Sequence, residues 1–303
     1  MYMQDKKTLV CCLAFLLASV FLVWLLISQT LTLHQKLALG LVKPDVISVA
    51  MPLPENMSDV KTTFERLTAG FEKQYPEFGI DLKIYADSSE IPEDSDMYLD
   101  YQNPEIQSAD LSAIYRELNM QDYLTDFSER NTVIPLSFSI PAVYYDMADM
   151  NLLQKFAGKD SIELSSLPET TFRKAVSEAF FQEFLNHPEY PVFDTSSRMC
   201  QTEQNPASSG RIHMIPVTEN GSYQKIFHSL CTVRAQSEKN KQNIAMLWIE
   251  YLLSEEAQTI LFAEHYGDLP LHESAFDTAI SQHQEFHGLE VLKAVPETEE
   301  ISG

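Results

Sequence analysis

The chain has 303 residues, and its 21 Lys and Arg residues against 44 Asp and Glu residues give a formal net charge of −23. This balance excludes a nucleic-acid-binding protein, which needs a basic face to neutralise phosphates. The roughly 260 residues that follow the apolar N-terminus are enough for one large domain or two lobes.

An uncharged apolar segment runs from Thr8 to Gln29, and its core reads LVCCLAFLLASVFLVWLLI. A helix of about 20 apolar residues spans the hydrocarbon layer of a bilayer, because all its backbone polar groups bond within the helix. Lys6 and Lys7 precede the segment, and the positive-inside rule then places the N-terminus in the cytoplasm. We therefore predict a single-pass protein of the cell membrane with an extracytoplasmic C-terminal domain. Its first parts are a cytoplasmic segment over 1–7, a transmembrane helix in the lipid bilayer over 8–29 and a juxtamembrane stalk over 30–44.

Two alternatives to an uncleaved anchor stay open. A cleaved signal peptide normally has an apolar region of about 7–15 residues and a small-x-small cleavage site. The apolar segment here is longer, and the SQTLTLHQK that follows lacks that pattern. A lipid-modified protein would use Cys11 or Cys12, but both lie at the start of the apolar segment rather than after it. We therefore favour the uncleaved helix.

The other two cysteines, Cys200 and Cys231, lie in the extracytoplasmic part. An oxidising compartment would permit a disulfide bond between them. Free cysteines are among the most buried residue types, so we favour two separately buried thiols.

The first folded elements alternate between strand and helix. VISVAM, at 46–51, predicts a short strand. Beyond Ser58, a residue type that caps helices, apolar side chains recur at helical spacing at Val60, Phe64, Leu67 and Phe71. Ile80, Leu82 and Ile84 then alternate with polar residues, which predicts a second strand. This order indicates an α/β lobe with a parallel sheet.

An acidic segment, DSSEIPEDSD at 87–96, follows the second strand. A calcium loop of the EF-hand type needs a glycine and a fixed spacing of oxygen ligands, which this segment lacks, so we predict a solvated loop. MYLDY then predicts a strand that ends at Asp100 and Tyr101. Residues 109–120 and 122–129 have helical patterns.

The segment IPLSFSIPAVYYD, at 134–146, is apolar but interrupted by Pro135 and Pro141. Proline confines such a segment to sheet edges, bends or crossovers, so it suits a passage between two lobes. The patterns beyond it predict helices over 147–157 and 169–186 and strands over 190–194 and 211–217.

The most regular helical pattern covers residues 238–266. One face carries Ile244, Leu247, Trp248, Tyr251 and Leu252. Ser254 and the two glutamates after it predict a new N-cap, and therefore two consecutive helices.

Four stretches together resemble the extracellular solute-binding proteins of ABC importers, in the branch that includes maltose- and oligosaccharide-binding proteins. They cover roughly half of the extracytoplasmic part in the family's order. The stretches are VISVAMP with FEKQYPEFGIDLKI, SADLSAIYRELNMQDYLTDFS, IPLSFSIPAVYYDMADM and SEKNKQNIAMLWIEYLLSEEAQTILFAEHYGDLPLHESAF.

The resemblance implies a two-lobed α/β ectodomain of the periplasmic-binding-protein type, with one N-terminal transmembrane helix. The first lobe would contain 45–136 and 230–265, and the second 137–229 and 266–303. The ectodomain is shorter than is usual for this family, so we expect a reduced second lobe. Ligand would bind between the lobes, and closure would be a hinge motion.

The ligand residues of this family lie at strand ends and crossovers that face the cleft. By position, the corresponding residues here are Asp100, Tyr101, Ser137, Phe138, Ser139, Asp194, Thr195, Ser196, Tyr266 and Asp268. Structural roles are the alternatives: Phe138 could pack in the core, Tyr101 at the lobe edge, and Thr195 and Ser196 could cap a helix.

No sequence motif predicts an enzyme, because the chain lacks a G-x-S-x-G elbow, a phosphate-binding glycine loop and an H-E-x-x-H motif. No cofactor is predicted. His283 and His287 have the spacing of two residues on one helix face, but we favour exposed histidines over a metal site.

The predicted function is the capture of a small solute, a carbohydrate in the first instance, for an ABC permease. Trp248 is the one tryptophan outside the apolar N-terminal segment, and its helical phase places it in the core, which weakens the carbohydrate assignment. The alternative is a degenerate relative that acts as a sensor or interaction subunit, for example beside a membrane sensor kinase. The fixed anchor and the shortened second lobe favour this alternative.

Overall fold

The structure is a computed structural model of the chain. It describes residues 17, 19–21, 43–53, 58–101, 103–124, 127–146, 148–167, 171–173, 192–194, 212–263, 269–282 and 284–294. The strands are β1 (Asp45–Pro52), β2 (Phe78–Tyr85), β3 (Met97–Leu99), β4 (Ser137–Ser139), β5 (Ala142–Asp146), β6 (Ile162–Glu163), β7 (Phe172–Arg173), β8 (Val192–Asp194), β9 (Ile212–Glu219), β10 (Ser222–Tyr223), β11 (Ile226–His228), β12 (Cys231–Val233) and β13 (Leu269–Pro270).

The α-helices are α1 (Ser58–Gln74), α2 (Ile114–Glu117), α3 (Met150–Phe156), α4 (Lys239–Leu252), α5 (Glu255–Ala263) and α6 (Glu273–Gln282). Short 3₁₀ helices cover Ser88–Glu90, Met120–Asp122 and Leu164–Ser166, and a longer one covers Gln284–Ala294.

The first sheet has the strand order β12-β3-β1-β2. β1 pairs in parallel with both β2 and β3, and β12 is antiparallel to β3. The predicted parallel sheet is therefore confirmed. Its β12 strand comes from far along the chain, so the first sheet is assembled from two separate chain segments.

Helices α1 and α4 cover one face of the first sheet. The predicted apolar face of α1 is confirmed, since Val60, Phe64, Leu67 and Phe71 are all buried. Trp248 of α4 is fully buried and stacks on Tyr251, as its helical phase predicts. Each large apolar side chain buried in this way contributes about 1.5–3 kcal/mol.

The second sheet has the strand order β10-β9-β5-β8-β7, and β6 also pairs with β9. The central strand β5 is antiparallel to both β9 and β8, whereas β7 is parallel to β8. A separate apolar cluster on one face of this sheet joins Val143 and Tyr145 to Leu152 and Phe156 of α3. The second sheet therefore has its own core in the second lobe.

A third sheet contains only short strands, in the order β11-β4-β13. All its pairs are antiparallel. Along the chain, β4 follows β3 of the first sheet and precedes β5 of the second sheet. On the way back, β11 follows β10 of the second sheet and precedes β12 of the first sheet. The chain thus passes between the two larger sheets within this small sheet, which we call the crossover sheet.

The N-terminal prediction lies almost wholly outside the described residues. Residues 17 and 19–21 are helical, and Leu17, Val20 and Phe21 are exposed. None of the helices in the described ranges is long and apolar enough to cross a membrane.

Three predicted helices are wrong where the structure describes them. Phe172 and Arg173, expected in the helix over 169–186, form β7, because their backbone pairs with β8. Residues 109–120 contain only the four-residue helix α2, since Ala109 N–H donates to Val233 O and Leu111 N–H to Asn131 O. Likewise, Leu124 N–H in the second helical pattern donates to Leu271 O. Long-range backbone bonds replace the local ones.

The acidic segment is only partly solvated, since Ile91, Ser95 and Asp96 are buried. Asp87 accepts from Ser89 N–H at the surface, as expected of a loop aspartate. Asp96 is buried instead, and its carboxylate accepts from Ser48 N–H, Ser48 Oγ, Ser237 Oγ and Lys241 Nζ. Asp96 therefore connects β1 to the segment that begins α4.

Candidate functional site

The predicted residues Ser137, Phe138 and Ser139 form β4, the central strand of the crossover sheet. All three are buried, and Phe138 is part of the main core. Ser139 Oγ lies 2.7 Å from His228 Nε2 on β11. In this structure the three residues hold the crossovers together, so Phe138 takes the core position that was its structural alternative.

Lys225 lies beside the crossover sheet, just before β11. The residue is 3 % exposed, its Nζ donates to Leu124 O at 2.7 Å, and Nζ lies 5.5 Å from the centre of the Phe138 ring. Burial lowers the pKa of Lys225 to about 8, because water no longer solvates the ammonium group. Lys225 is therefore a buried amine at the junction between the lobes.

Asp100 ends β3 with a backbone φ of 50°, in the left-handed region that aspartate tolerates better than most residues. Its N–H donates to Leu230 O, and its Oδ1 accepts from Leu230 N–H, both at 2.9 Å. These bonds join the end of β3 to the start of β12. Asp100 thus has a clear structural role, and it turns the chain so that Tyr101 leaves the strand.

Tyr101 lines a cavity of about 370 Å³. The ring centres of Tyr101 and Tyr98 lie 5.6 Å apart and are tilted by 42°. The cavity lies on the face of the first sheet opposite α1 and α4, where Ala50, Ile91 and Tyr98 form a small separate core. The lining residues are Tyr98, Tyr101, Asn103, Pro104, Ile106, Ser108, Val133 and Thr232.

The polar groups at this cavity are few and uncharged. Thr232 Oγ1 is buried and has no hydrogen-bond partner within the described residues. Asn103 Nδ2 donates weakly to Tyr101 Oη at 3.5 Å. Tyr98 Oη donates to Pro92 O, and burial raises the pKa of Tyr98 to about 12, so its hydroxyl stays protonated. The partly exposed ring of Tyr101 suits an uncharged ligand with a flat face, while the fully buried Tyr98 ring and the buried Thr232 hydroxyl form the inner wall of the cavity.

A larger depression of about 780 Å³ lies between α1, α4 and α5, where Tyr75, Tyr251 and Ile260 meet Glu250 and Glu256. It contains none of the predicted ligand residues. The depression lies on the helical side of the first sheet, and none of its lining residues belongs to the crossover sheet.

The remaining predicted residues are not brought to either cavity by the described structure. Asp194 ends β8, where its backbone pairs with Ala142. Thr195, Ser196, Tyr266 and Asp268 lie outside the described residues, as does His283 of the considered histidine pair. Within the described ranges, no group of His, Cys, Asp and Glu residues could hold a metal ion. Cys231 is a buried free thiol, and Cys200 lies outside the described residues.

Sequence reasoning missed Tyr98 and Thr232. A signal for both was present, because side chains alternate between the two faces of a strand. Met97 and Leu99 face the main core, so Tyr98 must face the other side, and Thr232 lies between Cys231 and Val233 in the same way.

No protein-family model matches this sequence, and no curated protein matches it. Solved structures do match in fold. The sugar-binding protein MalE from Xanthomonas citri shares 13% identity at a TM-score of 0.58, over 82% of this chain and 85% of that chain. UgpB from Mycobacterium tuberculosis, solved with glycerophosphocholine, shares 14% at 0.56, over 86% of this chain and 88% of that chain.

The ABC substrate-binding protein Lmo0181 from Listeria monocytogenes, solved with cycloalternan, shares 10% identity at a TM-score of 0.53, over 83% of this chain and 87% of that chain. A de novo designed cysteine esterase also matches, so the fold by itself does not exclude a catalytic role. Identities this low show the fold alone. The chain therefore has the α/β fold of the periplasmic-binding-protein type, with two larger sheets joined by the crossover sheet.

Proposed function

We propose that this chain captures a small uncharged solute, a carbohydrate in the first instance, between two lobes and delivers it to an ABC permease. The observation that carries the proposal is the crossover sheet, since two larger sheets joined by short strands can close by a hinge motion. The matching solved structures support it, because most of them are solute-binding proteins by name.

The tyrosine-lined cavity supplies the first-lobe half of the proposed site. Tyr101 offers a partly exposed aromatic ring that packs on the buried Tyr98, and the buried Thr232 hydroxyl in the cavity wall lacks a partner within the described residues. Such a surface binds by stacking and hydrogen bonding, without charge. In this proposal the second lobe covers the open side of the cavity, and Asp194, Thr195, Ser196, Tyr266 and Asp268 contribute from the other side.

A membrane anchor over residues 8–29 is part of the same proposal. The exposed, helical Leu17, Val20 and Phe21 support it, because water-exposed apolar side chains in a helix are stable in lipid. An anchored binding protein stays near its permease at a high effective concentration. The full-length chain should therefore remain in the membrane pellet after alkaline carbonate washing, and its release would contradict the anchor.

Ligand binding is expected to raise the melting temperature of the full-length protein in a mild detergent. A ligand present at 100 times its Kd adds about 2.7 kcal/mol to the free energy of unfolding by mass action. The panel comprises neutral mono- and oligosaccharides, polyols and glycerophosphodiesters. Intrinsic fluorescence reports the thermal unfolding of the protein with each solute. Tyr101→Ala should weaken the binding of the active ligand at least about tenfold, a loss of roughly 1.4 kcal/mol from one aromatic contact.

Tyr75→Ala is the matched control, since Tyr75 is also a partly buried tyrosine but lines the outer depression. It should bind the ligand with unchanged affinity. If no solute shifts the melting temperature, or if Tyr101→Ala and Tyr75→Ala bind equally well, the proposed site is wrong.

The second candidate function is a sensor or interaction subunit beside a membrane kinase. The burial of Trp248 favours it, because the tryptophan is held in the core by Phe71 and Tyr251 and is not available to stack on a sugar. A protein that melts identically with and without every solute, yet copurifies with a membrane kinase, would support this candidate.

A further inference from the structure

A glutamine with no exposed surface lies in the second of the two consecutive C-terminal helices of the first lobe. Gln258 Nε2 donates to Leu136 O at 2.8 Å and to Leu252 O at 2.9 Å, and Gln258 Oε1 accepts from Leu271 N–H at 2.8 Å. Both amide donors and the amide acceptor are therefore used, and all three partners are backbone groups.

Each partner marks the end of a different element. Leu136 immediately precedes β4, the first crossover strand. Leu271 immediately follows β13, the strand on the other side of β4. Leu252 ends α4. A single side chain thus fixes the start of one crossover and the end of another to the helices of the first lobe.

Packing alone does not explain this residue. The surroundings are apolar, with Leu136, Leu252 and Leu271 themselves in the main core. A leucine or methionine would fill a similar volume without the cost of burying an amide, which is about 1–3 kcal/mol when its hydrogen bonds are not made. What an apolar side chain cannot do is fix the direction and spacing of three backbone segments.

We propose that Gln258 is the positioning residue of the hinge. It holds the first-lobe end of the β4 crossover and the residue just after β13 to the helices of the first lobe, so that the two neighbouring crossover strands keep a fixed place relative to those helices. The inference rests on the proposed function, because a defined hinge matters only for a protein whose lobes close. The glutamine would act on closure through the crossovers and would not touch the ligand.

Gln258→Met is expected to broaden the distribution of distances between the lobes in the absence of any ligand. Single-molecule energy transfer measures this distribution of distances between dyes attached at Lys61→Cys on α1 and Lys155→Cys on α3. Both positions are exposed. Cys11, Cys12 and Cys200 are replaced by serine, and the buried Cys231 remains. The backbone amide of Leu271 should also exchange its hydrogen about tenfold faster, because its acceptor is lost.

Two further variants separate a hinge role from simple destabilisation. Ser48→Ala removes a hydroxyl that bonds to Asp96, in the first lobe but away from the crossovers, so it should lower the melting temperature and leave the distances and the Leu271 amide unchanged. Gln258→Glu replaces the Nε2 donor, which bonds to two carbonyl groups, with a carboxylate oxygen. This variant should broaden the distribution of distances between the lobes as Gln258→Met does.

The inference is overturned if both Gln258 variants melt at lower temperature but keep the distance distribution and the Leu271 exchange of the unsubstituted protein. This measurement uses no ligand. A failure to find a solute would therefore count against the proposed function alone. The distance measurement would still test the hinge role of Gln258.

Discussion

Replacing Asp96 by alanine is expected to lower the free energy of unfolding by about 3 kcal/mol at pH 7, because two half-buried donors of Ser48, the buried hydroxyl of Ser237 and one lysine lose their common acceptor. Ser48 N–H, Ser48 Oγ and Ser237 Oγ all donate to this carboxylate at 2.9–3.0 Å, as does Lys241 Nζ. Denaturant unfolding, followed by fluorescence, measures the change.

The effect of Asp96→Ala should depend on pH in a defined direction. Burial acts to raise the pKa of Asp96, but the hydrogen bonds from Ser48, Lys241 and Ser237 outweigh it and lower the pKa below the usual 3.8. A lowered folded-state pKa stabilises the protein above the unfolded-state value, and that stabilisation is lost as the pH falls through the folded-state pKa. The difference between the two proteins should therefore shrink below about pH 3.8.

Asp81→Ala provides the matched control. Asp81 is an aspartate of β2 that also pairs with a lysine, but both side chains of the Asp81–Lys83 pair are about half exposed. Exposed pairs of this kind contribute about 0–1 kcal/mol. Equal losses in the two variants would contradict the buried connection between β1 and the start of α4.

Replacing Lys225 by methionine is expected to stabilise the protein at pH 7, by up to about 3 kcal/mol. The lowered pKa of about 8, against 10.5 for an ordinary lysine, means that the folded state disfavours the charged amine. No carboxylate pairs with Lys225 in the described part of the chain, where Leu124 O is its hydrogen-bond acceptor. Methionine has a similar length and carries no charge.

The pH dependence at Lys225 has the same sign as at Asp96, because in both cases the unfolded chain binds the additional proton, but it falls in an alkaline range. Between the folded-state and unfolded-state pKa values of Lys225, the unfolded chain binds the additional proton, so the unsubstituted protein gains stability as the pH rises from about 8 to 10.5. The advantage of Lys225→Met should disappear over this range. Thermal unfolding at several pH values measures it, with the exposed Lys61→Met as the control that shows no such trend. A variant that is less stable at every pH would show that the bond to Leu124 O and the contact with Phe138 outweigh the cost of burial.

Much of the first lobe could be predicted because its signals are local. Ile80, Leu82 and Ile84 alternate within one strand, and the apolar residues of α1 recur within one helix. The crossover at 134–146 was predicted for the same reason, since Pro135 and Pro141 restrict the backbone wherever they occur.

The errors arise where partners lie far apart along the chain. Leu111 and Leu124 lie in segments whose sequence patterns predict helices. Their backbone N–H groups instead donate to Asn131 O and Leu271 O. Asp96 belongs to an acidic run, and only the folded chain brings Ser237 and Lys241 to it. No local pattern marks such residues.

The predicted ligand residues have different places in the structure. Tyr101 lines a cavity, whereas Ser137, Phe138 and Ser139 hold the crossovers, and the partners of Gln258 at Leu136 and Leu271 could not be read from the sequence. The Ser-Glu-Glu-Ala-Gln stretch that carried the family resemblance contains this glutamine. In the structure this glutamine bonds to backbone groups of Leu136, Leu252 and Leu271.

Closure of the two lobes on a solute is the central claim, and energy transfer between dyes at Lys61→Cys and Lys155→Cys tests it most directly. Adding the solute that raises the melting temperature should shift the distances between the lobes to shorter values and narrow their distribution. Tyr101→Ala should need about ten times more solute for the same shift. A solute that stabilises the protein while the distances between the lobes stay unchanged would contradict capture by closure.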